Sequence, residues 1–293
     1  MFGTYKKDDV TLLLKDITGC VEPLGTKERE ARIQSGTHYS EMLPLEYEPS
    51  TAYLNTYYDA LKRYAQLTAD AVASVAEQIW MENGKDAVLV SLARAGTPIG
   101  ILIKHYIAQK YHTDVTHYSI SIIRGRGIDQ NAMNFILAHH SPASIQFVDG
   151  WTGKGAIQRE LEQAMLCYPG VRSGLAVLSD PAHLSEKCGT HEDFLIASSC
   201  LNATVSGLLS RTFYRSDLIG PNDFHGAVFY QELMAKDLTY QFIETVEHHF
   251  SFHSHFASEP IPVSKSSKKE VYEIGQQFHI NNINFIKPSI GET

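Results

Sequence analysis

The residue types best able to do chemistry cluster between Ser144 and Ile157, in the run Ser-Ile-Gln-Phe-Val-Asp-Gly-Trp-Thr-Gly-Lys-Gly-Ala-Ile. Ile145, Phe147 and Val148 predict a strand that ends in Asp149. A glycine-rich turn from Gly150 to Gly155 follows. Ala156, Ile157, Leu161, Ala164 and Met165 then repeat at helical spacing. A strand, turn and helix in that order bind anions, because backbone N–H groups converge in the turn and the positive end of the helix dipole points into it. Lys154 adds a full charge, and Asp149 stands at the carboxyl end of a strand, where open parallel sheets meet their ligands. The spacing does not satisfy the P-loop pattern GxxxxGK[ST].

Two further turns carry matching chemistry. Ala87 to Ala93 is an apolar run of the kind a central parallel strand needs. It ends in Arg94-Ala95-Gly96-Thr97-Pro98, with Thr97 expected to cap a helix and Pro98 to open it, running to about Lys110. Val115 to Arg124 predicts a strand ending in Arg124-Gly-Arg126-Gly-Ile-Asp129, expected to be a mobile cationic loop. Two anion pockets and a carboxylate between them suit a sugar with phosphate at one end and pyrophosphate at the other.

Around these turns the periodicity predicts a long helix from Ser50 or Thr51 to about Met81, closed by Asn83-Gly84, with Tyr53, Tyr57, Leu61, Tyr64, Leu67, Ala71, Val75 and Ile79 as its core stripe. Helices are expected over 131–140 and from 155 to about Cys167, and a strand over 174–178. Asp193 to Cys200 reads as a strand-to-helix passage, Asn202 to Leu209 and Phe224 to about Phe250 as helical, and Ser258 to Lys269 as a linker. The alternation predicts an α/β fold: an open, mainly parallel sheet with helices on both faces, an N-terminal extension and extra C-terminal helices.

The 293 residues carry 43% hydrophobic and 20% charged side chains and a net charge of −8, ordinary for a globular chain and opposed to a broad footprint on duplex nucleic acid. Four scattered cysteines (Cys20, Cys167, Cys188, Cys200) read as reduced thiols, and no apolar run reaches the ~20 residues of a membrane helix. A cytoplasmic protein with no membrane association is expected.

Phe147-Val-Asp-Gly-Trp-Thr-Gly-Lys-Gly-Ala156 resembles the 5-phosphate loop of the type I phosphoribosyltransferases, and the likeness extends from Ala87 to Leu178. It implies that Asp149, Gly150, Thr152, Gly153, Lys154, Gly155 and Ala156 hold the ribose 5-phosphate of PRPP, and that Arg94, Ala95, Gly96 and Thr97 hold its pyrophosphate. Arg124, Arg126 and Asp149 become the catalytic candidates. Mg2+ would arrive with PRPP, with Asp149 as its candidate protein contact and no metal-binding cluster of side chains. The family usually places two adjacent acids before the loop; here the second is Gly150. The match is closer to the phosphoribosyltransferase-like proteins of tellurium-resistance and stress-response gene clusters, a group often labelled cysteine protease StiP. Its carriers are Phe2-Gly-Thr-Tyr5, Leu13-Leu-Lys-Asp16, Gly36-Thr-His-Tyr-Ser-Glu-Met-Leu-Pro44, Ser91 to Pro98, 147–155 and Ile286-Lys-Pro-Ser-Ile-Gly-Glu292.

That resemblance implies an arm (1–50), a phosphoribosyltransferase-like domain (51–257) and a linker with a polar tail (258–293). Relatives commonly continue into a Pelota-like RNA-binding domain, and the match ends about where that domain would begin. The expected partners are PRPP and a base-like small-molecule acceptor, an RNA link through that partner domain, and a second copy of the chain in a homo-oligomer. The acceptor pocket is expected from His38, Tyr39 and Glu41, in a loop that either connects at the surface or closes over the site, and from Asp180 and His183; residues 193–202 are further expected walls. Two other functions compete with phosphoribosyl transfer. One is a nucleotide- or RNA-sensing module that has lost turnover. The other is a cysteine hydrolase using Cys200 with His183, His191 or His225 as base. His248, His249, His253 and His255 are expected to be solvated at a helix end rather than to hold a metal.

Overall fold

A computed structural model describes residues 2–252 and 267–280. The strands are β1 (Thr11–Leu12), β2 (Lys15–Asp16), β3 (Val88–Ala93), β4 (Thr116–Ile123), β5 (Gly127–Ile128), β6 (Ile145–Trp151), β7 (Leu175–Ser179), β8 (Lys187–Thr190) and β9 (Gly226–Ala227). The α-helices are α1 (Thr26–Gln34), α2 (Thr51–Asn83), α3 (Gly96–Tyr111), α4 (Gln130–His139), α5 (Ala156–Met165), α6 (Thr239–Glu247) and α7 (Ser267–Gln277). The main sheet runs in the order β1-β4-β3-β6-β7-β8 with every one of these pairs parallel, and β5 folds back antiparallel on β4.

Side chains alternate between the two faces of each strand, so one apolar run feeds two cores. Leu89, Val148, Ala176 and Leu178 join α2, α3 and α6 on one face. Val90, Ile120, Ile122, Phe147 and Val177 join α4 and α5 on the other. This is the expected open, mainly parallel sheet covered on both faces.

Helix α2 begins where expected: the Ser50 hydroxyl accepts from the Tyr53 N–H at 3.3 Å, and Gly84 ends the helix with φ of 53°. Of its stripe, Tyr57, Leu61, Ala71, Val75 and Ile79 are buried and Tyr64 and Leu67 half-buried, but Tyr53 is exposed.

Several expectations are corrected. Thr97 does not cap α3. That helix starts at Gly96, and the Thr97 hydroxyl is buried against Ser119 Oγ at 2.7 Å. Strand β6 does not stop at Asp149; it continues through Gly150 to Trp151, which pairs with Ser179. The turn therefore occupies 152–155. Arg124 to Asp129 is a tight hairpin closed by Arg126 N–H donating to Ile123 O at 2.9 Å, not an open loop, and Asp129 is buried as the cap of α4. Residues 193–209 hold only the 3-10 turns Ala197–Cys200 and Ala203–Val205. The stretch 224–250 is not one helix. It holds β9, a 3-10 segment at Gln231–Lys236 that contains Leu233, and α6, which contains Phe242 and Val246; Phe229 is an isolated bridge partner of Leu209, and Leu238 precedes α6. Strand β8 lacks an apolar run. It reaches α2 because Gly189 has no side chain: a Cβ there would lie 2.5 Å from the Ala71 Cβ. The expected linker 258–269 lies largely outside the described residues, and α7 begins at its end.

Candidate functional site

The carboxyl ends of β3, β4 and β6 surround a cavity of about 540 Å³. Its floor is Asp149 and Gly150 on β6. One side is the turn Thr152 to Ala156 at the start of α5; another is Arg94 and Ala95 at the start of α3. Arg124 and Tyr39 stand at the rim. The far wall is built from Phe194, Ile196, Ser198, Ser199, Asn202, Arg211 and Thr212.

Both helices that point into the cavity begin without a side-chain cap, at Ala95 and at Gly155. At α3 the Thr97 N–H already donates to Arg94 O at 3.1 Å and Pro98 has none, so the first turn of α5 is the richer source of donors; both helix dipoles add partial positive charge. Gly155 adopts φ of 68°, the left-handed conformation that starts α5, and a Cβ there would also strike Leu184 Cδ1 at 2.6 Å. The turn is pinned from outside: Thr152 N–H donates to Ser179 O at 3.1 Å, and Arg159 donates to Lys154 O at 2.8 Å. The Trp151 ring lies across Gly153, where a Cβ would meet its Cη2 at 2.0 Å, and the indole N–H donates to Asp193 at 3.2 Å. Thr152 and Lys154 are buried in this packing.

Asp149 is the one carboxylate lining the cavity among the described residues. Burial pushes its carboxyl up to about 7, against the smaller opposing pull of the Gly150 N–H, which donates to Oδ1 at 2.8 Å. The ionised form is thus poised to gain from any donor or cation brought in by a ligand. Gly150 has room for a side chain: a Cβ would rest 3.6 Å from Ile99 and 3.7 Å from Ile196, ordinary contact distances.

Arg94, Arg124, Lys154 and Arg211 line the same cavity. Arg94 is held in place by Glu46 at 2.7 Å and by Leu209 O at 3.0 Å, following a cis Ala93–Arg94 peptide. Arg211 stands beside it. Burial, with Arg94 and Arg29 nearby, depresses its guanidinium pKa, and its Nε is buried with no hydrogen-bond partner. An acidic chain thus keeps a locally cationic cavity. Arg211 was invisible to sequence reasoning because the segment around it has no periodicity; the only signal was a lone arginine in a run of small and apolar residues.

The other expected site residues divide. The segment 36–44 closes against the site rather than passing over the surface. Tyr39 Oη accepts from Arg124 N–H at 2.8 Å, His38 Nε2 contacts Arg124 O at 3.1 Å, and Glu41 pairs with Arg126. Arg126 is therefore turned away from the cavity, toward Glu41 and toward Tyr214 O at 3.1 Å, and does not line it. Of the loop, only Tyr39 lines the cavity. Asp180 and His183 also lie outside it, behind the turn. Asp180 Oδ2 accepts from Leu184 and Ser185 N–H, both at 2.8 Å, and His183 stacks on His191 at 3.8 Å. The thiol beside a histidine is Cys188, 3.5 Å from His191 Nε2, not Cys200. Asp180, Cys188 and His191 form a group with ligand atoms within 4.8 Å of one another, which the sequence did not suggest. His248 and His249 are exposed and bond backbone carbonyls of their own helix at 2.5 and 2.9 Å; His253 and His255 lie outside the described residues. No helix of the described residues is long and apolar enough to cross a membrane.

An open parallel sheet with a cationic cavity at its strand ends defines a class of α/β ligand-binding protein. Within it, the chain belongs to the StiP family: the family described as "Tellurite-like stress resistance cysteine protease StiP" matches residues 3–247. A relative named "Cysteine protease StiP", from Acinetobacter baylyi (strain ATCC 33305 / BD413 / ADP1), is 37% identical over 308 aligned residues, covering 99% of this chain and 80% of the relative. The family's name is that of an enzyme and ties it to stress resistance. Among solved structures, a Helicobacter pylori xanthine-guanine-hypoxanthine phosphoribosyltransferase shares 15% identity at a TM-score of 0.28, over 47% of this chain and 76% of its own. A Bacillus anthracis hypoxanthine-guanine phosphoribosyltransferase shares 17% at 0.30, over 44% and 73%.

Proposed function

We propose that the cavity binds PRPP with Mg2+ and transfers its phosphoribosyl group to a base-like acceptor. The observation that carries this is the convergence of two helix N-termini without side-chain caps on one cavity, which Arg94, Arg211, Lys154 and a single carboxylate line. The 5-phosphate would lie in the turn Thr152 to Ala156, ribose hydroxyls on Asp149, and pyrophosphate against Ala95 to Thr97. Mg2+ fits the donor set, because it is commonly held by one or two carboxylates plus substrate phosphates, and would neutralise phosphate charge. In transfer, the C1–O bond breaks and its electron pair leaves on pyrophosphate. The acceptor bonds C1 and releases its proton. Arg94, Arg211 and the α3 N-terminus face the charge that develops, so they favour the transition state over the ground state. Arg124 at the rim is the remaining cation able to close on it. The acceptor would meet Phe194, Ile196 and Asn202.

Calorimetric titration with PRPP–Mg2+ tests this. The wild type should bind with micromolar affinity, and Asp149→Asn and Arg211→Met should each weaken binding at least tenfold. A wild type that binds no PRPP overturns the reading. Binding without pyrophosphate release across a mixed pool of bases would instead support a sensing module.

A cysteine hydrolase is the second reading, favoured by the Cys188–His191 contact and the family's name. Against it, burial and then Asp180 push the Cys188 thiol up to about 11, the opposite of an activated thiolate, and Cys188 does not line the cavity.

A further inference from the structure

We propose that Asp180, Cys188 and His191 form a zinc-binding site at the carboxyl ends of β7 and β8, behind the glycine-rich turn. The inference does not depend on what the cavity binds.

Three features of the cluster fit a metal better than a hydrogen-bonded trio. First, the ligand set is chemically apt. A thiolate, an imidazole nitrogen and a carboxylate oxygen are the three donor types that zinc takes. Deprotonated Cys188 and Asp180 with neutral His191 would balance the two charges of the ion, so the filled site is electrically neutral where it is buried. The Cys188 proton would pass to solvent on binding.

Second, the three ligand atoms are close enough to share one ion. Zn–S of about 2.3 Å and Zn–N of about 2.0–2.1 Å at a tetrahedral angle place sulfur and nitrogen roughly 3.5 Å apart. Cys188 Sγ lies 3.5 Å from His191 Nε2 and 3.9 Å from Nδ1, off the axis of the Nε2 lone pair, so the thiol would turn toward that axis as the ion binds; the three ligand atoms lie within 4.8 Å of one another.

Third, the second shell is already set. His191 Nδ1 contacts Asp180 O at 2.7 Å, which makes Nδ1 the protonated nitrogen and leaves Nε2 as the ring's lone-pair nitrogen. A metal-bound histidine ordinarily donates its other N–H in this way. The Asp180 carboxylate is oriented by Leu184 and Ser185 N–H on Oδ2. Its Oδ1 is buried with no partner, on a residue with 0% exposure. A thiol–imidazole hydrogen bond accounts for Cys188 and His191 but leaves that oxygen unsatisfied, at a cost of about 1–3 kcal/mol or more for a charged group; a metal ion accounts for all three. His183 stacks on the His191 ring at 3.8 Å and holds it from one face.

The site would staple the segment between β7 and β8, which carries Leu184 against Gly155 and so backs the turn. The test uses the full chain, stripped with chelator and titrated with Zn2+ against a chromophoric competitor, and with Co2+ as a spectroscopic probe. One zinc per chain and a thiolate-to-cobalt charge-transfer band are expected. Tm should rise by about 5 °C with free zinc at ~100 times Kd. Cys188→Ser should lose the band and bind zinc at least 100-fold more weakly, while Cys200→Ser should match the wild type. A wild type that takes up no stoichiometric zinc, or shows no thiolate band with cobalt, overturns the proposal whether or not the Cys188 variant folds. So does zinc binding that survives in Cys188→Ser unchanged.

Discussion

Gly96 and Asp149 meet because the glycine has no side chain: a Cβ on Gly96 would lie 2.6 Å from Val148 O and 3.2 Å from the Asp149 Cα. The start of α3 is thereby pressed against the end of β6, and the first N–H groups of the helix stand beside the carboxylate. The obstructing atom is backbone and cannot rotate away. Gly96→Ala is expected to cost about 2–3 kcal/mol by overpacking and to weaken PRPP–Mg2+ at least tenfold. Denaturant melts and calorimetry measure the two effects. An alanine variant with unchanged stability would mean that the helix start is not seated on β6.

Asp149 should show a trade between stability and binding. Its pKa rises from 3.8 to about 7 on folding, so its contribution to stability is complete below 3.8 and is lost as pH climbs through 7. Asp149→Asn removes that loss. With allowance for solvent at the cavity mouth, the variant should be more stable than wild type by about 1–2 kcal/mol at pH 8 and equal to it near pH 4. The same variant should bind PRPP–Mg2+ poorly. Thermal melts across pH 4 to 8 read the crossover; a variant less stable than wild type at pH 8 would contradict the buried-carboxylate account.

His105 ties the N-terminal segment to α6. Its Nε2 lies 2.9 Å from Asp9, and its Nδ1 pairs with Glu247. Burial opposes the charged ring, but hydrogen bonds to Asp9 and Glu247 outweigh it and raise the pKa from 6.5 to about 9. A raised histidine supports the fold fully below 6.5 and loses that support as pH rises through 9. Wild type is therefore expected to lose on the order of 2–3 kcal/mol between pH 6 and pH 10 relative to His105→Gln, whose profile should be flatter over that window. Parallel profiles for the two proteins would rule out the bridge.

The parallel core and its connections were legible because their residues obey short-range rules. Apolar runs mark β3, β4, β6 and β7, and glycine-bearing turns mark where β3, β4 and β6 lead on to a helix. Strand β8 was not legible: Lys187, Cys188 and Gly189 have no apolar period, and its place depends on Ala71, far away in sequence. The pattern Phe229, Leu233, Leu238, Phe242, Val246 mimics one helix but is divided between an isolated bridge at Phe229, the 3-10 segment around Leu233 and α6 with its cap residue Leu238, since several faces of a core can supply the same spacing. At the cavity, Asp149, Arg94 and the turn 152–156 could be read from position after a strand. Arg211 and the outward turn of Arg126 could not, because both are decided by tertiary partners: Arg94 and Arg29 for one, Glu41 and Tyr214 for the other.

The parallel pairing of β1 with β4, through Thr11 opposite Tyr118 and Leu12 opposite Ser119, has a practical consequence for anyone shortening the chain. A fragment starting at Thr51 would contain every residue of the cavity wall except Tyr39, and would look like a minimal domain. It would also bare part of the edge of β4, a row of backbone donors and acceptors flanked by isoleucines, and an open edge of that kind recruits strands from other molecules. The first fifty residues thus act as the sheet's selvedge, and their removal should promote self-association.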